Sequence, residues 1–180
     1  VNMLFNNAGI GYQGNFDEFD PGFYERLLNT NVIAPTLKTR EFLPMLKRQK
    51  ESWILFSSSF AGFHPMPFKV VYAASKSFIT QFSRGLFQEL KNSGVHVSVV
   101  CLAGVDSFPE SSRRIDEIGW TARMGRLSPG QVASFALKGL LRGRRRIIPG
   151  KINILFYYLM KLLPSGVIGG IPLRRGIGRN

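Results

Sequence analysis

Residues 59–76 read SFAGFHPMPFKVVYAASK. They follow an apolar strand, Trp53-Ile54-Leu55-Phe56, and run through a loop into a long helical pattern. Tyr72 and Lys76 are four apart, so on a helix they share a face about one turn apart. Ser59 lies thirteen residues before Tyr72, where the strand gives way to the loop. A hydroxyl at a strand end, then a phenol and an amine on the next helix, is a layout for moving a proton to or from a carbonyl.

The flanking elements alternate. Met3 to Asn6 reads as the end of a buried strand, and a glycine-rich loop runs from Asn7 to Asp20. A helical pattern follows from about Gly22 to Lys50, with Asp20-Pro21 as its start. Pro35 and Pro44 inside it predict a kink or break. The strand Trp53–Phe56 precedes a second helix from about Val70 to Lys91, stopped by Asn92-Ser93-Gly94. Val95 to Leu102 is almost wholly apolar, as a central parallel strand should be. Ser128-Pro129 opens a third helix to about Leu141, and Arg145 to Ile148 reads as a short edge strand. Phe108 to Arg126 is polar and irregular. Strands alternating with helices predict an α/β fold with a Rossmann-like, doubly wound parallel sheet.

The chain has 180 residues, enough for one domain with a real core. Its net charge of +13 is unevenly placed. Residues 1–112 hold 10 Lys and Arg against 9 Asp and Glu, whereas residues 113–180 hold 14 against 2. The basicity therefore belongs to the C-terminal part and concerns what that part touches. One cysteine, Cys101, makes no internal disulfide and reads as a small buried hydrophobe in a reducing compartment. His64 and His96 lack ligand-spaced partners, so no metal is assigned. The first residues lack the basic start of a signal peptide, and no apolar run is long enough to span a membrane.

Gly9-Ile10-Gly11-Tyr12-Gln13-Gly14 matches G-x-G-x-x-G and follows a strand. A dinucleotide fingerprint should open a helix at its glycines, but Asn15 to Asp20 is loop-like. No acidic residue ends the next strand, where a ribose partner belongs. The segment is read as a loop.

The pieces together resemble the short-chain dehydrogenase/reductase family. They are Asn6-Asn7-Ala8-Gly9, Asn31 in Asn29-Thr30-Asn31-Val32, Ser57-Ser58-Ser59-Phe60-Ala61-Gly62, Tyr72-Ala73-Ala74-Ser75-Lys76 and Ala103-Gly104-Val105-Asp106-Ser107. They occur in family order across residues 1–150. The resemblance implies an NAD(P)(H)-dependent oxidoreductase that interconverts a carbonyl and a secondary alcohol, with NAD or NADP left open. It implies that Tyr72 is the acid/base, Ser59 holds the carbonyl, Lys76 bonds the nicotinamide ribose and lowers the phenol pKa, and Asn31 anchors a water for proton relay. Asn6, Asn7, Ala8, Gly9, Ala103, Gly104, Val105 and Ser107 then contact the cofactor beside Tyr72 and Lys76. The family's usual Pro-Gly is Ala103-Gly104 here, and Ser107 stands where a threonine is common.

Family members carry a strand, a Gly-rich turn and two further βα units before the Asn-Asn-Ala-Gly strand. The expectation is a fragment of a longer frame, lacking the N-terminal cofactor-binding part, that by itself binds NAD(P) weakly or not at all. The alternative is a non-catalytic scaffold protein keeping half the fold. The resemblance also implies a homo-oligomer packed through the two long helices.

Residues 151–180 differ in character and are read apart from the 1–150 portion. Ile152 to Leu163 is an apolar run between Lys151 and Pro164, preceded by Arg142, Arg144, Arg145 and Arg146. Two readings stand: a membrane-surface helix, or a C-terminal helix over the substrate pocket with its basic residues solvated. A cytoplasmic protein is expected, and the first reading would make it peripheral to a membrane. Similar tails in lipid-metabolising family members tilt the substrate towards lipophilic ketones or alcohols. Nucleic-acid binding is not expected, because few aromatics interleave with the arginines.

Overall fold

The computed structural model describes residues 1–105 and 125–162. Four parallel strands lie in the order β1-β2-β3-β4: Met3–Asn6, Ser52–Ser59, Val95–Leu102 and Arg146–Ile147. β2 and β3 pair along their whole length, from Ser52 opposite Val95 to Ser59 opposite Leu102. Parallel order requires crossovers, and helices supply them.

The sheet is covered on both faces because β2 and β3 alternate apolar side chains to each side. Ile54, Phe56, Val97, Val99 and Cys101 form one core with Leu46, Ile79 and Leu90 from the helices on that face. Leu55, Val100 and Ile147 form the other with Ala136 and Leu140. The helices of the first face are α2 (Ala34–Lys47) and α3 (Val70–Glu89); α4 (Pro129–Leu141) covers the second over β2, β3 and β4. Phe5 on β1 is 47% exposed. Cys101 is fully buried, as expected, and burial pushes its thiol pKa up to about 12.

Caps follow the sequence. Asp20 Oδ1 accepts from Phe23 N at 3.0 Å, starting α1 (Pro21–Leu28). Ser128 and Gln131 form a capping box at α4. β2 extends three residues beyond the expected Phe56, so Ser59 is its last residue.

The prolines do not break the first helical run. α1 passes through a π-helical turn, Asn29–Ile33, directly into α2. That widened turn accommodates the ring of Pro35. Pro44 sits on the exposed face, where the carbonyl it leaves unbonded meets water. Gly9, Gly11 and Gly14 lie in a loop, and a short 3₁₀ turn, Phe16–Glu18, precedes Asp20.

The apolar run near the C-terminus is a helix, α5 (Lys151–Leu162), and it docks on the domain. Buried Asn153 donates to Gly125 O at 2.9 Å and Pro149 O at 2.8 Å. Tyr157 packs edge-on to Phe63 and bonds Arg146. Leu155, Tyr158 and Leu162 point outward, and Leu162 is 82% exposed. Among the described residues no helix is long and apolar enough to cross a membrane.

Candidate active site

The three serines that close β2 have three different tasks, because side chains alternate along a strand while the last one meets the turn. Ser57 Oγ donates to Asn7 Oδ1 at 2.6 Å, holding the loop after β1 against β2. Ser58 Oγ bonds Lys76 O at 2.9 Å and Thr80 Oγ1 at 2.7 Å, fixing α3 to the sheet. Ser59 caps the 3₁₀ turn Phe60–Phe63, its Oγ accepting from Ala61 N at 3.2 Å. With that lone pair occupied, the Ser59 proton is free to point elsewhere, and Ser59 also hydrogen-bonds the Tyr72 side chain.

Tyr72 and Lys76 project from the first two turns of α3. The Lys76 ammonium lies 5.7 Å from the centre of the Tyr72 ring. It donates to Ser57 O at 3.1 Å, and the residue is only 6% exposed. Burial lowers its pKa to about 8. Burial raises the Tyr72 pKa, and the Ser59 hydrogen bond pulls it partly back. The resemblance implied a phenol lowered by Lys76; here desolvation is the larger influence, and the phenol stays a proton donor at neutral pH.

Asn31 sits on the π-helical turn and is 2% exposed. Its amide grips the loop after β1: Oδ1 accepts from Ile10 N at 2.8 Å, and Nδ2 donates to Ile10 O at 2.9 Å. Nδ2 also reaches Ser75 Oγ at 3.1 Å, and Ser75 in turn donates to Tyr72 O at 2.7 Å. The side chain is thereby committed to structure. The residue four ahead of Asn31 is Pro35, which has no N–H, so the Asn31 carbonyl lacks its usual α-helical donor.

Gly9 passes close over this group. A Cβ there would lie 3.1 Å from Lys76 Nζ and 3.4 Å from Asn31 Oδ1. One at Gly11 would lie 3.6 Å from the Tyr72 ring. Asn7, Ala8 and Gly9 are exposed at the C-terminal end of β1, while Asn6 turns inward and donates to Thr39 Oγ1 at 3.0 Å. Ala103, Gly104 and Val105 follow β3 at the same end of the sheet; Gly104 O accepts from Leu127 N at 3.3 Å. Ser107 lies outside the described residues.

Four residues take supporting roles that the sequence does not signal. Tyr12 is 6% exposed, and its hydroxyl accepts from Val71 N at 3.1 Å, capping the start of α3 from the loop. Phe68 holds φ at +63°, in the left-handed region, four residues before Tyr72. Gly62 packs on the backbone of Lys76, and Ser75 links Tyr72 to Asn31. The serine's spacing from Tyr72 was visible; the other partnerships were not.

The sequence pattern described as short chain dehydrogenase matches residues 1–117. Dehydrogenase/reductase SDR family member 7B of Bos taurus is 28% identical over 92% of this chain and 53% of its own length. Very-long-chain 3-oxoacyl-CoA reductase of Anas platyrhynchos is 34% identical over 56% of this chain and 33% of its own. The chain thus spans about half the length, or less, of these curated relatives. A short-chain dehydrogenase from Sphingobium yanoikuyae, solved in complex with NADPH, superposes with a TM-score of 0.73 at 23% identity. That match covers 100% of this chain and 68% of the other, a likeness of fold. The family match spans residues 1–117 of this chain, and the chain folds as a parallel sheet crossed by helices: it belongs to the short chain dehydrogenase family.

Proposed function

We propose that this chain carries the proton-transfer half of an NAD(P)(H)-dependent oxidoreductase acting on a carbonyl or secondary alcohol. The observation that carries it is the convergence of Ser59, Tyr72 and Lys76, seated by Asn31, at the C-terminal end of the sheet. That end is where open α/β sheets take ligands.

A nicotinamide cofactor, when bound, supplies or accepts the hydride. Its binding residues fit the arrangement: Gly9 leaves the space beside Lys76 that a Cβ would fill. Lys76 gives one of its three protons to Ser57 O, leaving donors for ribose hydroxyls. Asn7, Ala8, Gly9, Ala103, Gly104 and Val105 frame that approach; Asn6 holds the strand end to α2 through Thr39. In the reducing direction Tyr72 gives its proton to the carbonyl oxygen, and Ser59 donates a hydrogen bond to the same oxygen. The raised phenol pKa keeps that proton in place until it is needed. With a pKa about 8, Lys76 is mostly charged at neutral pH and favours the phenolate as it forms. The Asn31 carbonyl, unbonded by Pro35, is an acceptor for a water that refills the proton.

A lipophilic substrate is supported by the relation to a very-long-chain 3-oxoacyl-CoA reductase. It is also supported by α5, which brings Tyr157 onto Phe63 in the turn after Ser59. The outward apolar side of α5, with Lys151 and Lys161, supports contact with a membrane surface. Exposed Leu37 on α2 and Phe78 on α3 support self-association through those helices.

The test is NAD(P)H-dependent reduction of medium- and long-chain 3-oxoacyl thioesters by the native protein. Tyr72→Phe should lower kcat by ~10²-fold or more. Wild-type turnover in Tyr72→Phe would end the assignment.

A further inference from the structure

At the other end of α3 lies a cavity of about 460 Å³ lined by Arg84, Gln88, Arg144, Arg145 and Arg146. Tyr72 is twelve to sixteen residues before its α3 walls, which at ~1.5 Å per residue is roughly 18–24 Å along the helix. The α3 walls therefore lie well away from Tyr72, while the Arg146 wall reaches back to Phe63 in the turn after Ser59. Four of its five lining residues are guanidinium-bearing and none is acidic. Like charges gathered with no acidic side chain among the described lining residues repel, so the arrangement is suited to an anion.

The walls are built rather than loose. Arg145 stacks on Phe87 at 5.2 Å. Arg146 lies against both rings of the Phe63–Tyr157 pair, 5.6 and 5.0 Å from their centres, and its buried Nε has no hydrogen-bond partner among the described residues. Arg84 donates to Gln81 Oε1 at 3.0 Å. The backbone is pinned as well: Arg144 O accepts from Ser98 Oγ at 2.8 Å, and Arg145 O from Val99 N at 3.0 Å. Guanidiniums held on aromatic faces lose less freedom on binding, and their planar forks match phosphate oxygens. Gln88 adds an uncharged donor.

We propose that this cavity binds a phosphate group carrying two or more negative charges, as a phosphate monoester or a diphosphate. Two sources share that chemistry: a soluble phosphate ester, and the headgroup of an acidic phospholipid. The site stands whether or not the catalytic reading does.

The experiment titrates inorganic pyrophosphate into the full chain by calorimetry, beside Arg84→Gln/Arg145→Gln. A charge-matched control, Arg40→Gln/Arg48→Gln, removes two exposed arginines from the α2 region. Circular dichroism checks that each variant is folded. Saturable binding is expected, weakened ~10-fold or more in the first variant and within ~2-fold of wild type in the control. A parallel arm floats the three proteins with phosphatidic acid or phosphatidylcholine vesicles. Selective loss of phosphatidic acid binding in the first variant supports the site and assigns the lipid source; pyrophosphate binding alone supports it and assigns the soluble one. No saturable binding in either arm, or equal loss in both variants, overturns the proposal.

Discussion

Lys76→Met should make the folded protein more stable at neutral pH while removing the ammonium from the site. Methionine keeps an unbranched, flexible chain of similar length. The lysine is 6% exposed, and burial lowers its pKa from 10.5 to about 8. A difference of about 2.5 units at ~1.36 kcal/mol per unit is about 3 kcal/mol of destabilisation from burying the charge. The hydrogen bond to Ser57 O is lost in the variant, offsetting about 1 kcal/mol and leaving roughly 2 kcal/mol of net gain. Because the folded pKa lies below the unfolded one, the unfolded chain binds more protons between pH 8 and 10.5, so wild-type stability rises through that window. Below pH 8 the whole penalty is present. Methionine has no such window. Urea unfolding of both proteins from pH 7 to 10.5 therefore gives a difference that favours the variant at pH 7 and vanishes or reverses by pH 10.5. Tyr72 and Cys101 have raised folded pKa values and withdraw stability at high pH, but both proteins contain them and subtraction removes them to first order. A difference that stays flat with pH, or a variant less stable at pH 7, would refute the reasoning.

Gly62→Ala places a Cβ 2.7–2.8 Å from the backbone of Lys76 and the amide of Ser77. Backbone cannot swing aside, so α3 must shift, costing about 1–3 kcal/mol and lowering Tm by about 2–12 °C; an unchanged Tm by calorimetry would contradict that contact. Asn31→Leu leaves Ile10 N–H and C=O and the Ser75 hydroxyl without their amide partner, a loss of about 2–5 kcal/mol in urea unfolding. Less than ~1 kcal/mol would mean water replaces the amide freely.

What could be read from the sequence was what local spacing encodes. β3 and α4 fall where hydrophobic runs and caps put them, and Ser59, Tyr72 and Lys76 meet because one strand, one turn and one helix set their spacing. Pro35 and Pro44 predict a kink or break in the helix over residues 22–50. Nothing in the periodicity signals that a π-helical turn at Asn29–Ile33 can absorb Pro35 instead. Asn31 was chosen by resemblance, and its grip on Ile10 and Ser75 depends on residues 21 and 44 positions away. Gly62 entered only as part of a motif; its close approach to Lys76 exists only once α3 is laid on the sheet. The phenol's environment was misjudged for a similar reason. Spacing shows that a cation is near, but not that burial acts on both partners more strongly.

The cap on α3 links parts of the chain made at different times. Tyr12 supplies the acceptor for the Val71 amide across 59 residues. Closing so long a loop is entropically unfavourable. The first turn of α3, which carries Tyr72, has no side-chain cap from Lys69 and takes its cap from the loop beyond β1 instead. Order in the turn that carries Tyr72 and seating of that loop are thereby coupled. Local opening that lifts Tyr12 would fray the helix at Tyr72 first, while its far end, held by Leu86 and Leu90 in the core, stays intact.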